Sequence, residues 1–177
     1  MNGNPPAVQA GADRVGGSDR HCWLMRRDLH LPSPTIFWTG DIRPQAFSLE
    51  MASEAHQLSS LAYDDQRADI PDFKVWLAAL QTDPEHNTAL CYTAWDEQGM
   101  VGFVQGWTSA FIKDLVVHPR ARHQGIGLNL LSQAFEIFRQ RGEAWVDLKV
   151  MENNFSARCL YEKAGMRYIQ RLEIEQR

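Results

Sequence analysis

Between Val117 and Gly127 the chain reads Val-His-Pro-Arg-Ala-Arg-His-Gln-Gly-Ile-Gly. An apolar run stops at Pro119, two arginines follow, and two glycines spaced by one residue open a helical pattern. This is anion-binding chemistry. A helix N-terminus presents N–H groups without partners and the positive end of the helix dipole. Glycines admit positive φ and let a bulky phosphate approach the backbone, while Arg122 adds charge-assisted hydrogen bonds. Such a turn suits a diphosphate-bearing cofactor, although R-x-x-G-x-G by itself also reads as a plain tight turn. Two other phosphate motifs are excluded, because the chain has neither the Gly-Lys-Ser/Thr of a P-loop nor a G-x-G-x-x-G fingerprint. Further on, Asn154 and Tyr161 stand seven residues apart, about two turns apart on one helix face. Ala157, Leu160, Tyr161 and Ala164 also form an apolar stripe, so spacing leaves Tyr161 as either a core aromatic or a site residue. Metal chemistry is not expected. His118 and His123 are separated by Arg120 and Arg122, and Cys22, Cys91 and Cys159 form no C-x-x-C pair.

The elements that must position these residues follow from periodicity. Residues 1–34 read as a leader rich in small and polar residues, within which Cys22–Leu31 is either a short extra strand or more leader. The domain proper is expected over 35–177. Thr35 to about Arg43 is β-branched and aromatic, the expected first strand. Phe47, Met51, Ala55, Leu58 and Ala62 recur at helical spacing, as do Phe73, Trp76, Leu77 and Leu80. Thr88–Trp95 and Met100–Thr108 read as a hairpin about Asp96-Glu97-Gln98-Gly99, followed by a strand over Phe111–Val117. A helix after Gly127, a strand over Ala144–Met151, a helix over Phe155–Ala164 and a strand over Arg167–Ile174 complete the chain. The order β-α-α-β-β-β-α-β-α-β is that of a mixed α/β layer.

With the elements in place, Lys113–Pro119 followed by Arg122–Gly127 resembles the acetyl-CoA-binding block of the GNAT N-acetyltransferases. Asn153–Met166, with its Asn, Ala, Leu-Tyr-Glu-Lys and Gly, resembles that superfamily's second signature, Met166 replacing the usual Phe. His123 stands where glycine is frequent and Ala121 where an aromatic is frequent, and neither change removes an N–H donor. The resemblance implies the GNAT fold, a mixed central sheet of about six to seven strands with helices on both faces. It also implies acetyl-CoA as co-substrate, with no metal. Backbone groups of Leu115 and Val117 would meet the pantetheine arm, and the N–H groups of His123, Gln124, Gly125, Ile126 and Gly127 the pyrophosphate, assisted by Arg122. Asn154 would contact the pantetheine and the Tyr161 hydroxyl would lie near the thioester sulfur.

The implied reaction is attack of a primary amine on the thioester. It develops an oxyanion, which a backbone N–H at Leu115 or Val116 can stabilise, and expels a thiolate, to which Tyr161 can give a proton. Asp114 is the candidate base and Asp147 a second choice. Asp64, Asp65 and Asp69, between the first two helices, are candidates to draw in a cationic amine, and Trp38 and Trp107 to line an apolar pocket. GNAT domains commonly end on two strands after the last helix, and this chain has room for one. The edge is left open, supplied by residues 22–31 or completed by a second subunit, and the reading leans towards a homodimer.

Composition bounds the partners. The 177 residues are 44% hydrophobic and 23% charged, with a formal net charge of -4, which disfavours nucleic acid. No run is long and apolar enough to span a membrane or serve as a signal peptide, and scattered cysteines fit the cytoplasm. The expected acceptor is a small-molecule or peptide amine. The alternative is a catalytically silent acyl-CoA-binding or interaction module on the same fold.

Overall fold

A computed structural model describes residues 18–64 and 69–175. Its strands are β1 (His21–Asp28), β2 (Arg43–Ala46), β3 (His86–Asp96), β4 (Gly99–Trp107), β5 (Phe111–Val117), β6 (Trp145–Met151) and β7 (Arg167–Glu173). Helices α1 (Ala52–Asp64) and α2 (Phe73–Thr82) precede β3, α3 (Ile126–Gln140) links β5 to β6, and α4 (Phe155–Lys163) links β6 to β7. The seven strands form one sheet in the order β2-β3-β4-β5-β6-β1-β7. Every neighbouring pair is antiparallel except β5 and β6.

The segment that the sequence left open is β1, and it enters the sheet from the N-terminal side. It lies between β6 and β7, with Met25 opposite Leu148 on one side and Tyr168 on the other. The place left vacant by a single strand after α4 is therefore filled from within the chain, and the sheet supplies no argument for a second subunit. Thr35–Arg43, the expected first strand, is irregular instead, and β2 begins only at Arg43. The buried amide of Asn129, on α3, accepts from the Phe37 N–H (3.2 Å) and donates to the Phe37 C=O (2.8 Å). A side chain thus satisfies backbone groups that a strand would have satisfied, and overrides local β-propensity. Pro44 is tolerated because β2 is an edge strand.

Two apolar layers flank the sheet. On one side α3 buries Leu130, Leu131, Phe135 and Phe138 against Val104, Ile112, Val146 and Leu148. On the other, α1 buries Ala55, Leu58 and Ala62 with Leu80 of α2 against Phe103 and Val116. Glycines in β4 permit the close approach of α3. A Cβ at Gly102 would stand 2.6 Å from Leu130 Cδ1, and one at Gly106 would stand 2.8 Å from Phe138 Cζ. The start of α3, where the anion site was expected, is thereby seated directly on the sheet.

Candidate active site

The turn before α3 is built around His118. Its N–H donates to Val101 C=O (2.8 Å), and its Nδ1 accepts from Arg120 N–H (3.1 Å), capping a single 3-10 turn over Pro119–Ala121. Burial first, then the Arg120 guanidinium, lowers the His118 pKa below its ordinary 6.5, which favours the neutral ring that can accept. Arg120 spans both carboxylate oxygens of Asp96 in the β3–β4 turn (2.9 and 3.1 Å). One arginine of the motif therefore anchors the loop, while Arg122 is exposed beyond it.

His123 has φ 63 and Gly125 has φ 78, so both occupy the left-handed region. This accounts for glycine being frequent at the His123 position; histidine is among the side chains that enter this region more readily than most. Gly125 caps α3, and the Asn129 N–H donates to its C=O (3.0 Å). The N–H groups of Gly125, Ile126, Gly127 and Leu128 therefore precede the first intrahelical donor and point out of the helix end. A Cβ added at Gly125 meets nothing within 4 Å, so the space beside it is open. Left-handed backbone, free N–H groups and open space fit a diphosphate.

Behind the turn the sheet divides. β5 and β6 pair at one register position, Phe111 opposite Asp147, reinforced by Asp147 N–H to Ala110 C=O (3.0 Å). From Ile112 to Val117 the β6 side of β5 has no strand partner among the described residues. A register shift contributes to the split. Gln105 faces Asp114 but the next residue, Gly106, faces Ile112, which leaves Lys113 as a bulge. Bulges bend the strand and increase its twist. Leu115 and Val117 pack against the α3 side and Val116 against the α1 side, so the backbone of this strand runs along the opening.

The second helix reaches the same place. A Cβ at Gly127 would lie 3.0 Å from Leu160 Cδ2, so α4 packs against the first turn of α3. Asn154 caps α4, its Oδ1 accepting from Ala157 N–H (3.2 Å). Tyr161 packs against the apolar layer on this side. Desolvation, and secondarily the charge of Asp114, push its phenol up to about 12. The Tyr161 phenol thus senses the charge of Asp114, which lies on the length of β5 that β6 leaves unpaired.

Asp147 is placed differently. Its carboxylate pairs with Arg26, directly opposite on β1 (2.7 and 2.9 Å), and Arg26 also lies over the Trp145 ring. Both oxygens of Asp147 are taken up by this bidentate pair, so Asp147 is a joint between β1 and β6. Of the acidic connection, Asp65 and the side chain of Asp64 lie outside the described residues, and Asp69 is exposed. Trp38 packs on the α3 side of the core. Trp107 stacks on Phe111, with ring centroids 5.6 Å apart. Gln105 escaped sequence reasoning; its one signal is a polar residue in the middle of an apolar strand. Among the described residues no group of three or more His, Cys, Asp and Glu could hold a metal, and no helix is long and apolar enough to cross a membrane.

A split parallel pair, an N–H cradle at the mouth of the split and a second helix closing over it define the acyl-CoA N-acyltransferase fold. The model of the acetyltransferase (GNAT) family matches residues 50–166, and the chain belongs to that family. Among solved structures it is similar to a GCN5-related N-acetyltransferase from Sphaerobacter thermophilus, with 26% identity, TM-score 0.75 and 86% of this chain covered. The chain spans about half the length of that protein, 49%. It also shares its fold with AAC(6')-Iy in complex with a CoA bisubstrate analog, at 10% identity and TM-score 0.65, covering 78% of this chain and 99% of that one. A third similar structure is the diaminobutyrate acetyltransferase EctA from Paenibacillus lautus, at 17% identity and TM-score 0.55, covering 69% of this chain and 73% of that one. The curated proteins include no match to the chain.

Proposed function

We propose that this chain moves an acetyl group from acetyl-CoA to a primary amine of a small molecule or peptide by direct attack on the thioester. What supports the reading is that the charge of Asp114, on the strand that β6 pairs only at Phe111, is felt at the Tyr161 phenol, together with the open N–H cradle before α3. Backbone N–H groups from His123 to Gly127, with Arg122, hold the diphosphate. Leu115 and Val117 present backbone groups to the pantetheine arm, and the Asn154 amide hydrogens remain to meet it, because its oxygen is occupied as a cap.

Acetyl-CoA supplies the activated acyl group. The chain's own residues orient it and handle the protons. A Leu115 or Val116 N–H faces the carbonyl oxygen as negative charge develops there. Asp114 takes the proton that the attacking nitrogen must lose, directly or through water. Tyr161, with its phenol at about 12, stays protonated at any working pH and donates to the departing sulfur. A free thiol ionises near 8.5, so full proton transfer is favourable only when burial also raises the sulfur's affinity for a proton. The bond broken is carbon–sulfur, the bond formed is carbon–nitrogen, and the thiol leaves with the proton from Tyr161.

All three cysteines are free, which fits a reducing, cytoplasmic setting. Release of free thiol from acetyl-CoA, measured over a panel of primary amines, tests the reading. Amine-dependent release supports it, whereas tight acetyl-CoA binding without release on any amine would leave a silent binding module.

A further inference from the structure

Strand β4 carries one polar side chain in its interior, Gln105, which is 1% exposed. Its Nε2 is sealed from solvent and has no hydrogen-bond partner among the described residues. Leaving such a group buried and unpaired is unfavourable, and a methionine would fill the same volume without that penalty. Packing therefore does not explain the residue; its position in the register does. Gln105 lies directly opposite Asp114, with side chains leaving the same face about 5 Å apart, next to the Lys113 bulge. Two residues along the same face, Trp107 Nε1 is also sealed and without a partner among the described residues, as are both ring nitrogens of His86, its register partner on β3. Phe111 stacks on Trp107, and Lys113 Nζ stands 5.5 Å from the Trp107 ring centroid. One face of β3–β4 thus collects unpaired groups, most of them donors, leading towards Asp114.

Resting on the acetyl-transfer reading above, we propose that the acceptor is a polar primary amine bearing a hydroxyl, carbonyl or carboxylate oxygen roughly 3–5 Å from its nitrogen. Once the side chains over it part to admit the amine, Gln105 Nε2 donates to that oxygen while Asp114 faces the nitrogen. Trp107 Nε1 and His86 serve any further oxygens. An amine without the oxygen gains none of these hydrogen bonds and is the poorer substrate.

The test compares kcat/KM for β-alaninamide and 3-amino-1-propanol with that for n-butylamine, at saturating acetyl-CoA. The wild-type chain should favour the oxygen-bearing amines by about 100-fold or more. Gln105→Met should cut that preference at least tenfold, roughly, through acceptor KM, with acetyl-CoA affinity kept and thermal stability equal or higher. Trp107→Phe, which keeps the stacked ring and removes the N–H, should cut it independently. An unchanged preference in both variants would assign the unpaired groups to ordered water and overturn the proposal, as would a wild-type preference for n-butylamine. Acetylation of all three amines at equal rates contradicts this assignment alone, whereas acetylation of none, or of any other amine in the wider panel, contradicts the parent function as well.

Discussion

The Arg27 guanidinium occupies the space that a side chain at position 165 would need. Arg27 is buried on β1, donates to the carbonyls of Pro32 and Gly165, and lies over the Phe135 ring. Gly165 itself has φ 83, and any Cβ there would run into Arg27 Nη1. The glycine that closes the second signature is therefore the point at which β1 locks onto the end of α4.

Gly165→Ala combines a left-handed backbone with a collision against a buried charge. It should lower stability by about 2–4 kcal/mol, seen as a lower urea midpoint with an unchanged slope. A variant as stable as the wild type would show that the lock is dispensable.

Gly102 lies under the first turns of α3, and an alanine there must displace Leu130 and Ile126, whose atoms lie 2.6 and 2.9 Å from the added carbon. Overpacking of this kind costs about 1–3 kcal/mol. Because the displaced turn carries the cradle, acetyl-CoA affinity should fall along with stability. Calorimetry on Gly102→Ala checks both, and lost stability with full affinity would separate the cradle from its seat.

The cap formed by His118 gives a pH dependence of stated sign. Its folded-state pKa lies below the ordinary 6.5, so the unfolded chain binds the proton first. Stability from this group is complete above 6.5 and is lost as pH falls through the lower folded value. Protonation turns Nδ1 from acceptor to donor and releases the Arg120 N–H. Denaturation between pH 7.5 and 5 should show a shallower loss in His118→Asn, whose side-chain oxygen still accepts. An identical slope in both proteins would exclude the cap as its source.

Arg122→Ala should weaken acetyl-CoA binding about tenfold, more at low salt than at high. The same change should leave KM for S-acetylpantetheine, which lacks the diphosphate, within about twofold, because charge-assisted bonds to a missing group cannot be lost. Equal losses for both donors would place Arg122 outside the diphosphate site.

What was legible in the sequence was local. The cradle depends on backbone N–H groups, glycine spacing and a strand-to-helix junction, all within Val117–Gly127, and each can be read from neighbouring residues. The hairpin about Asp96–Gly99 and the stripes of α1 to α4 are local in the same sense. Relationships that depend on distant pairing were not legible. Nothing near His21–Asp28 shows that it belongs between β6 and β7. Asp147 looks like a free carboxylate until Arg26, 121 residues away in the chain, is set opposite it. Thr35–Thr39 has strand composition, and only Asn129 across the fold explains why it is not one. Gln105 sits in an apolar strand, and its lack of partners is a property of the packed sheet.

If Tyr161 is the proton donor of an acetyl transfer, Tyr161→Phe must slow the chemical step. The substitution keeps the ring and its packing and removes only the hydroxyl. At saturating acetyl-CoA and amine, kcat should fall by about 100-fold or more, while the dissociation constant for acetyl-CoA stays within about twofold. An unchanged kcat would rule out a proton from Tyr161 and return it to the role of a core aromatic.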